Sequence, residues 1–141
     1  MNAKAIAEVE AQLLELQGSL PLLLRKCEAV AEAAKVSVEA LMVETLRFLW
    51  LVGQGSGEQL TPSQLVDLAW HELILFTADY ERFCRHHYGR FLHHRPGDDG
   101  QQHAKQYRRT LQAYLGVFGE PPALFWPGVS QHLPQCGPCQ S

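Results

Sequence analysis

The sequence predicts an all-α, single-domain bundle of about five helices, ending in an irregular Pro/Gly-rich C-terminal tail. Three observations predict it. Apolar residues recur at helical spacing along most of the chain, Gly and Pro fall between those runs, and no segment alternates with the strand period. With 141 residues, 46% of them hydrophobic and 19% charged, the chain is large enough to bury one core of its own.

Each element has its own reason. NAKAIAEVEAQLLELQG (2–18) carries Ile6, Val9, Leu13 and Leu16 as one stripe, and Gly18 offers a stop. LPLLLRKCEAVAEAAK (20–35) restarts with Pro21 in the first turn, where its missing N–H costs nothing. SVEALMVETLRFLWLVG (37–53) has Ser37 as N-cap, Glu39 in the first turn and Gly53 as terminator. Its apolar face (Leu41, Leu46, Phe48, Leu49, Val52) is wide enough for a central helix.

GQGSGEQ (53–59) reads as a connection. TPSQ (61–64) then gives Thr61 as a cap, Pro62 at the first helical position and Gln64 completing a capping box. The helix that follows is expected to run to about Tyr88 and to stop at Gly89. RPGDDG (95–100) is a turn-rich loop, and QQHAKQYRRTLQAYLGVFG (101–119) is a last amphipathic helix through Tyr107, Leu111, Tyr114 and Phe118. Trp70, Phe76, Tyr80, Leu111, Tyr114 and Phe118 are expected to form one core between these two helices, packed antiparallel across the short connection. The domain therefore spans 1–128, with Phe125 and Trp126 docked on its body, and 129–141 is a tail carrying CGPC.

Composition narrows the function classes. A formal net charge of -3 gives no general attraction to a phosphate backbone. The basic clusters (Arg82, Arg85, Arg90; Lys105, Arg108, Arg109) lie on helical surfaces without a nucleic-acid motif. The N-terminus lacks the apolar core of a secretory signal, and LPLLL and FLWLV are too short to span a bilayer. The expectation is a cytoplasmic protein without nucleic-acid or membrane partners, in which cysteines serve as metal ligands, redox groups or buried thiols.

The chemistry gathers in VDLAWHELILFTADYERFCRHHYGRFLHHRP (66–96). Asp67 and His71 stand one turn apart on one helix face. That spacing suits two metal ligands, a ligand with its orienting carboxylate, or an ordinary surface pair. Cys84 lies thirteen residues after His71, about 220° around an unbroken helix and roughly 20 Å along it. It reads as a buried small hydrophobe. Tyr80 reads as a packed aromatic with its hydroxyl at the surface. His93 and His94 follow the helix end, so a turn there can bring one of them back to His71. CGPC (Cys136, Cys139) has the spacing of half a zinc knuckle and of a thiol–disulfide motif. No strand precedes it, no helix follows it, and no lysine or arginine lies beside it, which favours a metal or tail element over a redox pair.

Residues 61–128 resemble the family of glycine-rich domain-containing protein-like domains. Pro62, Asp67, Trp70 with His71, Tyr80, Cys84, Gly89, His94 and FGEPP (118–122) carry the resemblance. It implies a helical domain of the kind found in bacterial stand-alone proteins and in larger plant and fungal ones, and it implies no enzymatic activity. Relatives often hold a second histidine two residues after the first, where this chain has Leu73. Some also carry a cysteine cluster after the FG segment, which Cys136 and Cys139 resemble.

Two functions follow as expectations. The first is a transition-metal site, zinc by preference, with His71 and His94 as ligands and Asp67 as ligand or orienting partner. Cys136 and Cys139 would close it, or water would leave it open. The second is a metal-free module for a protein partner, in which Asp67, Trp70 and His71 form a structural polar network. No nucleophile–base pair or cofactor fingerprint points to an enzyme.

Overall fold

A computed structural model describes residues 1–55, 59–95 and 100–128. All of its regular elements are helical: α1 (Ala3–Ser19), α2 (Pro21–Ala34), α3 (Val38–Gly53), α4 (Gln64–Ile74), α5 (Thr77–Tyr88) and α6 (Gly100–Phe118). The extra helix relative to the expected five or so comes from the segment 61–88, which is two helices. The Leu75 N–H still reaches the His71 carbonyl, but Phe76 turns back to Leu73 and becomes the N-cap of α5.

Helix starts follow local chemistry, with one shift. The Asn2 and Ser37 side chains accept from Ala5 N and Ala40 N, as N-caps do. At α4 the cap is Ser63, which accepts from Val66 N at 3.2 Å, and not Thr61. Thr61 is committed elsewhere: its N–H donates to Thr110 Oγ1 and its hydroxyl to Gln106 Oε1 on α6. Gly18 does not stop α1, which continues to Ser19 ahead of Pro21. Gly89 does stop α5, in the left-handed conformation (φ 74°) that a side chain would strain.

The core is organised around α3. Leu41, Met42, Leu46, Phe48, Leu49, Trp50 and Leu51 are all buried, so this helix is enclosed on most of its circumference. α4 packs mainly on α2 and α3, and α6 on α3 and α1. The six residues expected between α4 and α6 do join one core, with Phe76 and Leu111 only partly buried. The expected direct antiparallel pairing of those two helices is not the arrangement, because α3 lies between them. A close approach elsewhere needs glycine: a Cβ on Gly53 would collide with the Tyr88 ring, which donates a hydroxyl toward Gln12 of α1.

Phe125 and Trp126 dock as expected. The Trp126 indole donates to Glu44 Oε1 at 2.8 Å, the Tyr114 hydroxyl donates to the same oxygen at 2.6 Å, and Arg47 approaches Oε2. Burial first, and then the Glu44 acceptor beside it, push the Tyr114 phenol up, so it remains a donor. Among the described residues no helix is long and apolar enough to cross a membrane.

Candidate metal centre

The helix break at Leu75 has a consequence for chemistry. α5 departs from the line of α4, and the chain after Gly89 runs back past the C-terminal half of α4. Leu92 is buried there, and His94 arrives beside Asp67.

Asp67, His71 and His94 each offer a ligand atom within 4.8 Å of the others. His94 Nε2 lies 2.5 Å from Asp67 Oδ1. His71 Nδ1 lies 2.8 Å from the Asp67 carbonyl oxygen and 3.4 Å from Oδ2. A carbonyl only accepts, so the neutral His71 ring that fits this contact has its proton on Nδ1 and its lone pair on Nε2. The two imidazoles face each other at 4.3 Å between centroids, and the Trp70 indole backs His94 at 4.4 Å. Exposure decides which way the site opens. The His71 side chain is 53% accessible, Asp67 32% and His94 17%, so the open side is that of His71.

Of the paired histidines, His94 is the one that enters. His93 is exposed, with its ring against Phe91 at 4.7 Å. Leu73, two residues after His71, is fully buried in the core. Cys84 stays out of the cluster even though the helix does break, because α5 turns it inward. Its thiol is buried, desolvation pushes it up, and the Leu92 backbone N–H and the Tyr80 hydroxyl are its neighbours. Cys136, Cys139 and His132 lie outside the described residues, as do Asp98 and Asp99.

Tyr80 corrects the reading of its hydroxyl as a surface group. The residue is 1% exposed. Its oxygen accepts from Trp70 Nε1 at 2.9 Å and donates to the Leu92 carbonyl at 2.5 Å. Glu44 was the other functional-looking group that helical periodicity hid. It is a carboxylate on the buried side of the most apolar helix, and a charged residue inside so wide an apolar face was the available signal.

Fold and site together define an all-helical domain with an Asp/His/His cluster at the junction of a helix and the segment that folds back on it. A family model described as UCP032817-like matches residues 15–115, and the chain belongs to that family. The match takes in all three cluster residues. Neither a curated protein nor a solved structure matches the chain.

Proposed function

We propose that this domain binds a divalent transition-metal ion, zinc by preference, through Asp67, His71 and His94. The convergence of three ligand atoms within 4.8 Å, drawn from α4 and from a segment 23 to 27 positions later, carries this reading. A carboxylate with two imidazoles is a donor set that suits zinc and other first-row metals. Zinc bonds of about 2.0–2.1 Å at tetrahedral angles require ligand atoms roughly 3.3 Å apart. The Asp67–His94 pair, now 2.5 Å apart, must open by less than an ångström, and its shared proton leaves as the ion enters.

Three groups leave a fourth position, on the exposed His71 side. Water there makes an open site. Two thiolates from Cys136 and Cys139 make a closed one, with Asp67 retained as orienting partner. Ten residues from the docked Trp126 to Cys136 span at most about 36 Å, so chain length permits closure. Support for the resemblance to the glycine-rich domain-containing protein-like family comes from convergence. Asp67, Trp70, His71, Tyr80, Cys84 and His94 meet around this one junction, although the sequence spreads them over 28 positions. A cytoplasmic setting is part of the same proposal.

The test is metal content of untagged protein by mass spectrometry. One equivalent of zinc in the wild type, lost in His71→Ala and Asp67→Asn, supports the site. Retention in Cys136→Ser/Cys139→Ser supports the open form, and loss supports closure by thiolates. A metal-free wild type that takes up no added zinc refutes the reading.

A second reading has its own observation. The Asp67–His94 contact pairs the two groups without an ion, and Leu68 on α4 and Leu75 at its C-cap are exposed on either side of His71. A metal-free module would present that face to a protein partner. It predicts that Leu68→Ser/Leu75→Ser abolishes partner capture while leaving the Asp67–His94 contact intact.

A further inference from the structure

We propose that the Tyr80 hydroxyl is the positioning group of the Asp67/His71/His94 site, fixing the segment after α5 so that His94 meets Asp67. The inference rests on the metal reading for its effect on affinity only. The placement of His94 that it asserts belongs equally to the metal-free protein.

Residues 90–95 form no helix, and something must hold them in register against α4. Leu92 does so at three points. Its side chain is buried, its carbonyl accepts from Tyr80, and its N–H faces the Cys84 sulfur. His94 lies two residues further along the same non-helical stretch, so the position of Leu92 limits where the imidazole can reach.

Trp70 links the two ends of this arrangement. Its indole N–H donates to the Tyr80 oxygen, while its ring backs His94 at 4.4 Å. One residue of α4 therefore fixes the hydroxyl that holds Leu92 and also forms the wall against which His94 rests. Both functions of the phenol oxygen are used, one as acceptor and one as donor. Burial pushes the phenol well above its ordinary range, so at neutral pH the hydroxyl keeps the proton it gives to Leu92. Tyr80 touches none of the three ligand atoms, so it is a positioning residue and not a ligand. Partners bonded directly to a metal ligand are commonly worth about 10- to 100-fold in affinity, and a group acting one residue further out, as Tyr80 does through Leu92, is worth less.

Tyr80→Phe keeps the ring and its edge-on contact with Phe91 while removing the one oxygen. Two measurements read the result. In the metal-free protein, proton NMR should show the His94 ring protons shielded by the Trp70 indole in the wild type, and that shielding lost in the variant. Competition with a chromophoric chelator should show the zinc dissociation constant raised by about 3- to 10-fold, below the effect of losing a partner bonded directly to a ligand. Arg90→Ala serves as the control, because it cuts another tie of the same segment, the guanidinium to Val52 carbonyl bond, away from Leu92.

Unchanged shielding in Tyr80→Phe overturns the proposal, and so does an equal effect from Arg90→Ala. A wild type that binds no zinc refutes the metal reading alone, and the shielding then decides the positioning role by itself. If Tyr80→Phe lacks the wild-type helix signal by circular dichroism, hydrogen exchange in the wild type replaces it. A Trp70 indole N–H protected as strongly as the α4 backbone supports the relay, and exchange at the solvent rate overturns it.

Discussion

Two polar clusters in this molecule do the same mechanical work in different surroundings. Glu44, Arg47, Tyr114 and Trp126 clamp the chain after α6 onto α3, and Asp67, His71 and His94 clamp the chain after α5 onto α4. The first is closed. Glu44 is 5% exposed and takes donors from an indole, a phenol and a guanidinium, and the Arg47 guanidinium also lies over the Phe118 ring at 5.1 Å. Its one loose end among the described residues is the buried Arg47 Nε, which has no hydrogen-bond partner. The second cluster is at the surface, with the His71 side chain 53% accessible. A carboxylate saturated by protein donors in a dry setting is structural. A carboxylate with two imidazoles on an accessible edge has capacity left for a ligand. Phe48 lies between them, with Trp70 at 5.4 Å and Trp126 at 6.1 Å, so the two share one wall of core.

The largest expected effect tests that shared wall. Trp70→Ala removes a buried indole, which should cost about 3–5 kcal/mol in urea unfolding. It should also unseat His94 and weaken zinc binding. A stability loss below about 1 kcal/mol would mean the core closes around the gap, which the packing of Phe48 argues against.

Next comes Glu44→Ala. It strands the Trp126 indole N–H, removes the acceptor for the Tyr114 hydroxyl proton and leaves the Arg47 cation with only its bond to the Tyr114 oxygen, at an expected cost of about 3 kcal/mol. Zinc binding should not change. A drop in metal affinity as large as that in Trp70→Ala would show that the two clusters are coupled, and would break the distinction drawn above.

His94→Ala should have the opposite profile. The lost hydrogen bond and ring contact cost about 1–2 kcal/mol without metal, since the site is partly solvated. Zinc binding should disappear. The readout is the melting temperature with and without excess zinc: the wild type gains stability by ligand linkage and the variant gains none.

The smallest effect concerns pH. Cys27 is fully buried, and burial first, with the Glu72 charge second, raises its thiol from 9.0 to about 11. Between those values the unfolded chain has released this proton and the folded chain has kept it. The unfolded state binds fewer protons, so stability falls as pH rises from 9 toward 11. By pH 10 this group alone should account for about 1 kcal/mol. Cys27→Ala should flatten that part of the profile. At pH 7–8 Cys27 and Cys84 should react with a thiol reagent only after unfolding.

Much of the fold was legible because it depends on neighbours in sequence. The apolar stripes of α1, α3 and α6, the Ser37 cap, the Gly89 stop and the i,i+4 approach of Asp67 to His71 are set by periodicity and by local hydrogen bonding. The docking of Phe125 and Trp126 was also legible, since two large aromatics after a helix end gain nothing in water. Thr61 shows where that reasoning stops. TPSQ satisfies the capping-box pattern at Thr61, but α6 supplies Thr110 and Gln106 at hydrogen-bond distance, and the cap passes to Ser63.

The break between α4 and α5 was decided by tertiary packing alone. LILFTADYE contains no Gly or Pro, and its weaker helix formers Phe76, Thr77 and Asp79 lower helix propensity without stopping a helix. Burying Leu73, Tyr80, Phe83 and Cys84 on one core requires the chain to change direction at Leu75, and the gain in apolar burial outweighs a few broken backbone bonds. The same change of direction chose His94 over His93 and turned the Tyr80 hydroxyl inward to Leu92. Sequence by itself determined which residue types were available to the site, because spacing on a helix is local. Which of them meet depended on a bend that no glycine or proline marks, because its cause is packing against elements distant in sequence, α2 and α3 beside α4 and the α1 residues Gln12 and Glu15 beside α5.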